Sequence, residues 1–346
     1  MERILITKKE KAIADDYAEK LFSDRNGNFI QPVAGLNCLI WQLLNVNEQI
    51  EDPMPYCLYI QKIIEEWKVL NSLLPSEFEA KKGEFDELLP EELLSTEILN
   101  LPIKPSKTFD SANLKDIGTK KFYERISDCL HYEAARLIMG QYYADDIKVK
   151  ACVYCNAQPA RGSKKKLFYT IDHYKPQSKY PFLCTSFFNL IPSCSFCNDA
   201  KNDKDVDFDF YTEDIKTAPL RPFRFWVENL NLDDTRNPDD FDIQLRNNDL
   251  TKGGLAAKHV CDFNLKEMYE GCNDEIEQVI WNYRELASDA YKADKPAEFV
   301  EPNKLFRSIL GFKSVDMNVH SEELKKLKLD LAMQLRLIDK NGNLLL

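Results

Sequence analysis

Two Cys-x-x-Cys pairs constrain the fold of this 346-residue chain more than any other feature of its sequence. Cys152 and Cys155 form the first pair, Cys194 and Cys197 form the second, and 38 residues separate the two pairs. Each short turn can present two thiolates at the zinc–sulfur distance, so the four side chains predict a tetrahedral zinc site. A four-thiolate zinc has no open coordination position, so this metal should staple the fold and not catalyse. The alternative is two unrelated turns with inert thiols.

The start of the chain lacks the charged segment, apolar stretch and small-residue cleavage site of a secretory signal. We therefore expect a cytoplasmic protein, in whose reducing compartment cysteines are thiols or metal ligands. An uncharged run at residues 26–47 is long enough to cross a bilayer, but polar residues and a proline interrupt it. We interpret this run as buried helix and turn, and we expect no membrane partner.

The net charge of −11 conceals a strong regional asymmetry. The net charge is −7 for residues 1–150, +5 for residues 151–204 and −9 for residues 205–346. A basic island between acidic flanks is typical of a small phosphate-facing module, because the flanks would confine a polyanion to the island. On charge alone, a chance cluster of lysines in an exposed loop is a comparable explanation.

Apolar residues at helical spacing mark the two flanks of this island. Residues 223–232 and 241–247 alternate like the two strands of a hairpin. The helical stripes comprise Ile60, Ile63, Ile64, Trp67 and Leu70; Phe122, Ile126, Cys129, Leu130 and Leu137; Leu265, Met268, Tyr269, Cys272, Ile276, Val279 and Ile280; and Leu324, Leu327, Leu331 and Leu335. We predict an α+β, mostly helical fold with three regions: a helical scaffold and docking region at 1–150, a zinc-stapled module at 151–204, and a hairpin plus helices at 205–346.

The loop between the cysteine pairs carries polar side chains that suit catalysis. The stretch "FYTIDHYKP" alternates like a strand that ends in Asp172 and His173, and Pro176 prevents its continuation. Asn189 follows in "FFNLIP", and Asn198 begins a predicted helix that also carries Lys201. The implied local fold is strand, turn, strand, helix.

This order of Asp-His, Asn, and Asn with Lys three positions later, framed by two Cys-x-x-Cys pairs, resembles the HNH endonucleases. Their catalytic unit is a ββα-metal finger, and the strong resemblance covers residues 151–204. Asn198 stands where the family's name has His, although an amide oxygen can still bind a hard cation. The stretch "FNLKEMYEGCNDEIEQVIWN" and the leucine-rich end are similar to the tails of HNH proteins in bacterial antiphage systems, notably the nuclease subunit of Septu-like systems. That resemblance implies a DNA substrate and a partner ATPase.

The same residues can be assigned chemical roles. His173 is the expected general base, because an imidazole titrates near neutral pH. Asp172 and the side-chain oxygen of Asn198 are the expected ligands of one Mg²⁺ or Mn²⁺ ion, separate from the zinc. The resemblance implies that Asn189 fixes the loop that orients the base, and Lys201 is expected to face a phosphate oxygen. Two interpretations stay open for five further lysines: they contact phosphates less specifically, or they are solvent-exposed surface residues without a binding role. These are Lys164, Lys165, Lys166, Lys175 and Lys179.

Three hypotheses from different classes follow. The first is a metal-dependent DNA endonuclease, and the second is a non-catalytic zinc module that binds nucleic acid or protein. The third is a scaffold whose acidic helical flanks dock onto a larger assembly. The endonuclease hypothesis is favoured by the complete set of five side chains, because a zinc module that had lost catalysis would have no physical need for all of them. They are Asp172, His173, Asn189, Asn198 and Lys201. The oligomeric state stays open.

Overall fold

Helical stripes and short alternating segments produce an α+β fold in which helices predominate, as predicted. The structure is a computed structural model. It describes residues 3–23, 32–103, 117–163, 166–206, 208–214, 223–228, 230, 241–247, 255–287, 302–312, 318–339, 342–343 and 345.

The helices of the described residues lie mainly on either side of the cysteine-rich segment. In chain order they are α1 Lys8–Ser23, α2 Pro32–Asn45, α3 Met54–Ser72, α4 Phe78–Asp86, α5 Phe122–Leu130, α6 Tyr132–Tyr142, α7 Ser195–Lys201, α8 Leu255–Asp262, α9 Leu265–Glu270, α10 Asn273–Ala287, α11 Pro302–Leu310 and α12 Lys325–Gln334.

The strands are short and pair two by two. They are β1 Ile4–Leu5, β2 Glu97–Leu99, β3 Thr119–Lys121, β4 Gly162–Ser163, β5 Lys166–Leu167, β6 Thr170–His173, β7 Leu190–Ser193, β8 Tyr211–Thr212, β9 Phe223–Glu228 and β10 Asp242–Asn247. β1 pairs with β8 in parallel, and the pairs β2–β3, β4–β5, β6–β7 and β9–β10 are antiparallel.

The N-terminal helices pack around α3. Pro53 directly precedes α3, and its fixed φ favours a helix start at this position. The predicted stripe at Ile60, Ile63, Trp67 and Leu70 is buried, and α3 packs against α1 and α2. Burial of each such side chain contributes roughly 1.5–3 kcal/mol. The stripe is therefore a core face, as its spacing indicated.

A second predicted stripe is interrupted, and one of its members is misassigned. Phe122 and Ile126 on α5 are buried, but Leu137 is 45% exposed. His131 separates α5 from α6 and has the left-handed φ of 51°. This residue reorients the chain, so that helical spacing counted from α5 does not predict the buried face of α6. The expectation that Leu137 is a core residue is thus wrong.

The segment between the cysteine pairs forms two antiparallel strands followed by a helix. β6 and β7 pair with Asp172 opposite Ile191 and His173 opposite Leu190. α7 follows β7 directly, and Cys194 is its N-cap residue. The predicted order of strand, turn, strand and helix is confirmed.

The C-terminal region combines a hairpin with helices. The predicted hairpin is confirmed as β9 and β10, whereas the turn predicted for residues 233–240 lies outside the described residues. α12 packs on β9, where Asp330 Oδ2 accepts a hydrogen bond from the Phe225 amide (3.0 Å) and pairs with Lys326. Gly271 ends α9, so the predicted stripe at residues 265–280 is divided between α9 and α10.

One continuous hydrophobic core runs through all three predicted regions. It includes Trp67 from the N-terminal helices, Phe187 from the ββα segment and Phe225 from the C-terminal hairpin. The first and third regions also meet in the β1–β8 pair. Part of the uncharged run at residues 26–47 forms α2, with several of its residues buried. None of the described helices has the length and apolar character needed to cross a membrane.

Candidate functional site

The four predicted zinc ligands form a buried cluster. The Sγ atoms of Cys152, Cys155, Cys194 and Cys197 all lie within 4.8 Å of one another, and none of the four forms a disulfide. Cys155 Sγ lies 4.0 Å from Cys194 Sγ, near the separation of about 3.8 Å expected for a tetrahedral site with zinc–sulfur bonds of about 2.3 Å. The cluster is positioned to bind a metal ion, and its four-thiolate donor set is that of a structural zinc site.

Asn156 ties the first cysteine turn to the end of the chain. Its φ of 58° lies in the left-handed region, which Asn tolerates. Its backbone N–H donates to the Cys152 carbonyl (2.8 Å). The fully buried side chain donates to the carbonyls of Val319 (2.7 Å) and Glu322 (3.0 Å). Its Oδ1 accepts from the Lys326 amide (2.8 Å). The turn that presents two thiolates is therefore held by a segment remote in sequence.

Two further groups from the C-terminal region cap the same turn. His259 Nε2 on α8 donates to the Tyr154 carbonyl (2.9 Å), and the Tyr269 hydroxyl on α9 donates to the Cys155 carbonyl (2.7 Å). These bonds satisfy buried backbone oxygens, which are costly to leave unpaired. α8 and α9 thus support the cysteine cluster directly.

The second cysteine turn is the start of α7. Cys194 is the N-cap, and its Sγ accepts a weak hydrogen bond from the Cys197 amide (3.4 Å). The two turns meet across β7, where the Pro192 carbonyl accepts from the Val153 amide (3.1 Å). The cysteine cluster therefore fixes where α7 begins relative to β6 and β7.

An open cleft of about 580 Å³ lies between α6, β6 and α7. Asp172 and His173 at the end of β6 line this cleft together with Asn198 on α7. Three of the predicted catalytic residues are therefore brought together by the ββα fold. The cleft is also lined by Tyr132, Arg136, Thr170, Ile171, Gln177, Asp199 and Asn202.

His173 is held in one orientation and is uncharged at neutral pH. Its Nε2 lies 2.9 Å from the Cys184 carbonyl oxygen. Because a carbonyl can only accept, Nε2 carries the proton and Nδ1 is the basic nitrogen. The Tyr132 ring packs on the imidazole with a centroid separation of 4.6 Å. Burial, together with the nearby Lys201 charge, lowers the pKa of His173 to about 4, below the near-neutral value expected from the sequence, so Nδ1 is unprotonated at neutral pH but is a weaker base than a free imidazole.

Asp172 is oriented by two buried partners. The Tyr154 hydroxyl donates to its Oδ2 (2.5 Å), and Lys201 Nζ lies 3.3 Å from the same oxygen. Burial raises the pKa of the Asp172 carboxyl above its ordinary value, and the Lys201 charge opposes this rise. The His173 backbone also donates a hydrogen bond to this carboxylate, and Asp172 lines the cleft.

Asn198 offers a second hard oxygen to the cleft. Its side chain is half-buried, and its carboxamide has no hydrogen-bond partner in the part of the chain that the structure describes. A carboxylate and an amide oxygen that share a cleft are suitable ligands for Mg²⁺ or Mn²⁺, with water completing the shell. The residues present therefore fit the divalent ion expected from the sequence.

Asn189 joins the two ends of the loop between β6 and β7. It is fully buried, and its Oδ1 accepts from the Lys175 amide (2.7 Å). Its Nδ2 donates to the carbonyls of Lys175 (3.2 Å) and Leu183 (3.1 Å), close to the Cys184 carbonyl that binds His173. These contacts lie within the loop, where the resemblance implied them.

Lys201 does not occupy the position expected of a phosphate ligand. Its side chain is only 1% exposed, and Nζ donates to the His173 carbonyl (2.6 Å) while pairing with Asp172. The helix turns Lys201 inward toward β6, beneath the surface of the cleft. The expectation of a direct phosphate contact is therefore corrected: Lys201 positions Asp172 and the backbone of His173.

Replacing Lys201 with Met should lower the free energy of unfolding by about 3–5 kcal/mol, because Asp172 would remain buried without its cation. Urea denaturation measures this loss. Lys179→Met is the matched control, since its Nζ lies on the surface 3.8 Å from Glu91 and its removal should change stability by less than about 1 kcal/mol. Wild-type stability of the Lys201 variant, combined with weaker DNA binding, would contradict the inward role and restore the phosphate contact.

The other predicted nucleic-acid-binding lysines differ in their surroundings. Lys175 is mostly buried and pairs with Glu79 (2.9 Å) and Asp205 (3.3 Å), so its charge is neutralised within the protein and not presented to a polyanion. Lys179 is partly exposed. Lys166 is exposed on β5 and lies over the Phe168 ring, 5.3 Å from its centroid. Lys164 and Lys165 lie outside the described residues.

Three side chains in or beside the cleft were missed by reasoning from sequence: Tyr132 and Arg136 line it, and Tyr154 contacts Asp172 from the protein interior. Tyr154 lies inside the first Cys-x-x-Cys pair, where a buried hydroxyl between metal ligands could have indicated a polar partner. Tyr132 and Arg136 lie on α6, in a region assigned to scaffolding. Their spacing is that of any amphipathic helix, so no local signal links them to Asp172 and His173.

The chain was compared with protein-family models, with curated proteins and with solved structures. None of the three comparisons found a match.

Proposed function

We propose that this protein is a metal-dependent endonuclease of the HNH type that hydrolyses phosphodiester bonds in DNA. The observation that carries the proposal is the shared cleft of Asp172, His173 and Asn198 on a strand–strand–helix unit. The adjoining four-cysteine cluster supports it, because the same helix α7 that carries Asn198 begins at Cys194. The module at 151–204 is thus proposed to be the nuclease unit.

His173 acts as the general base of the proposed reaction. Its Nδ1 takes a proton from a water molecule as the water oxygen attacks the phosphorus atom. The bond from phosphorus to the leaving oxygen breaks, and that oxygen takes a proton from solvent. The Cys184 carbonyl keeps the proton on Nε2 and fixes the ring. Tyr132 restricts the ring from its face, so both contacts hold the base in one geometry.

Asp172 and Asn198 would hold the divalent ion, Mg²⁺ or Mn²⁺. When bound, the ion offsets the negative charge that develops on the phosphate and on the leaving oxygen. Tyr154 and Lys201 hold the Asp172 carboxylate in place, and Asn189 braces the loop beneath the base. Zinc at the four cysteines has a structural role in this proposal, since no coordination position is left for substrate.

The proposal extends to a cytoplasmic role in bacterial antiphage defence with a partner ATPase. This extension rests on the resemblance of the C-terminal stretches to Septu-like nuclease subunits. Four exposed apolar side chains on the α2–α3 pair are the residues proposed to contact such a partner. They are Trp41, Leu44, Met54 and Leu58.

A plasmid assay tests the proposed function. Purified protein is incubated with supercoiled DNA in EDTA, Mg²⁺ or Mn²⁺, and the nicked and linear products are separated by electrophoresis. We expect cutting with Mg²⁺ or Mn²⁺ and none with EDTA. Absence of cutting with every metal, by folded protein that contains zinc and is supplied with its ATPase, would favour a non-catalytic zinc module that binds nucleic acid or acts as a scaffold.

A further inference from the structure

One arginine in the cleft comes from outside the ββα unit. Arg136 lies on α6 and lines the same cleft as Asp172, His173 and Asn198. The other charged side chain that lines this cleft, Asp199, is acidic. A substrate phosphate beside the metal ligands would therefore meet carboxylates from α7 and β6, and a guanidinium from α6.

The guanidinium of Arg136 is only partly engaged. Its Nη2 donates to Glu133 (2.8 Å), whose side chain is 76% exposed. Such a surface pair is worth about 0–1 kcal/mol and is readily exchanged for another anion. Its Nε is buried and has no hydrogen-bond partner among the described residues. An unpaired buried donor is costly, so the protein itself does not fully satisfy this guanidinium.

α6 is fixed against the ββα unit by the face that carries Arg136. Tyr132 and Gly140 lie four residues before and after Arg136, on the same side of the helix. The Tyr132 hydroxyl donates to the Ile171 carbonyl on β6 (2.5 Å). A Cβ atom on Gly140 would collide with the end of the Leu167 side chain on β5, so a larger residue at this position would require that side chain to move. The position of Arg136 relative to Asp172 is therefore set by packing.

We infer that Arg136 is a phosphate-binding residue that the N-terminal helical region supplies to the cleft. This inference rests on the proposed function, because the phosphate belongs to the strand being cut. A guanidinium presents two parallel N–H groups to a phosphate, whereas an ammonium acts as a point charge. The bound strand would displace Glu133 and accept hydrogen bonds from the terminal Nη1 and Nη2 groups. The N-terminal region is then part of the substrate site as well as a scaffold.

Binding and cutting by the Arg136→Gln variant test this inference. Affinity is measured by fluorescence anisotropy with a labelled oligonucleotide, single-stranded and duplex, in Ca²⁺ in place of Mg²⁺. We expect affinity to fall about tenfold or more for all sequences, and the slope of log affinity against log salt to decrease by about one. The single-turnover cutting rate in Mg²⁺ should fall by at least the same factor.

Arg246→Gln is the matched control. Arg246 also forms a surface pair with a glutamate, Glu228, at 2.7 Å, but it lies on β10 and does not line the cleft. It should bind and cut like wild type. Equal losses in both variants, or wild-type binding by Arg136→Gln, would overturn the inference while leaving the proposed nuclease intact. Loss of binding confined to Arg136→Gln in a protein that never cuts would support the phosphate site and count against the nuclease.

Discussion

His173→Ala is expected to lower the rate of plasmid cutting by roughly 10²–10⁴-fold, the usual contribution of a positioned general base. The expectation follows from the ring's geometry. Nε2 is committed to the Cys184 carbonyl, which leaves Nδ1 as the ring nitrogen that can accept a proton. Single-turnover cutting in Mg²⁺ measures the loss.

His173→Asn separates the base from a structural role of the same side chain. An asparagine amide can still donate to a nearby carbonyl, but it has no basic nitrogen. Equal loss of cutting in the Ala and Asn variants, with unchanged zinc content and unfolding midpoint, supports the assignment. If Asn restores cutting, or if either variant cuts with wild-type metal dependence, His173 is not the base.

Replacing Cys194 with Ser should remove the metal and unfold the ββα segment. The zinc–thiolate site of small metal-stapled modules contributes about 10–16 kcal/mol to folding, which is comparable to or larger than the whole stability of an ordinary domain. Cys194 also caps α7, so its loss affects both the metal and the helix that carries Asn198. Zinc per chain by mass spectrometry and thermal unfolding by circular dichroism report the two effects.

Cys261→Ser is the matched control for the thiol change. Cys261 is exposed and stands apart from the four-cysteine cluster, so its replacement should leave zinc content and unfolding temperature unchanged. A Cys194→Ser protein that keeps a full zinc equivalent and its wild-type melting temperature would show that the cluster is not a metal staple. Loss of zinc from the Cys261 variant would show that the ligand set is different.

The features that sequence reasoning predicted correctly are those that depend on neighbouring residues. A Cys-x-x-Cys turn brings two thiols together wherever it occurs, and the proline after Asp172 and His173 ends a strand in any context. The order of strand, turn, strand and helix follows from such local signals. Together they were sufficient to predict the buried cysteine cluster and the antiparallel pairing of β6 with β7.

The incorrect or missed predictions concern residues whose positions depend on tertiary contacts. Leu137 fits a helical stripe, but the left-handed backbone at His131 redirects the helix that follows. Lys201 has the spacing of a cleft residue, yet its charge compensates the buried Asp172 carboxylate. Arg136 lines the cleft because α6 packs against β6, where the Tyr132 hydroxyl donates to the Ile171 carbonyl. No local pattern encodes these three outcomes.

The hydrogen bonds of Asn156 determine when, during synthesis, the first cysteine turn can gain its buried partners. Its side chain binds Val319, 163 residues downstream, and Lys326, 170 residues downstream. At a translation rate of about 5–20 residues per second, the ribosome needs roughly 8–34 seconds to add the residues between Asn156 and these partners. During that interval the first cysteine turn exists without its buried partners. We therefore expect nascent chains that have not yet reached Lys326 to hold the first cysteine turn less firmly than the finished fold does.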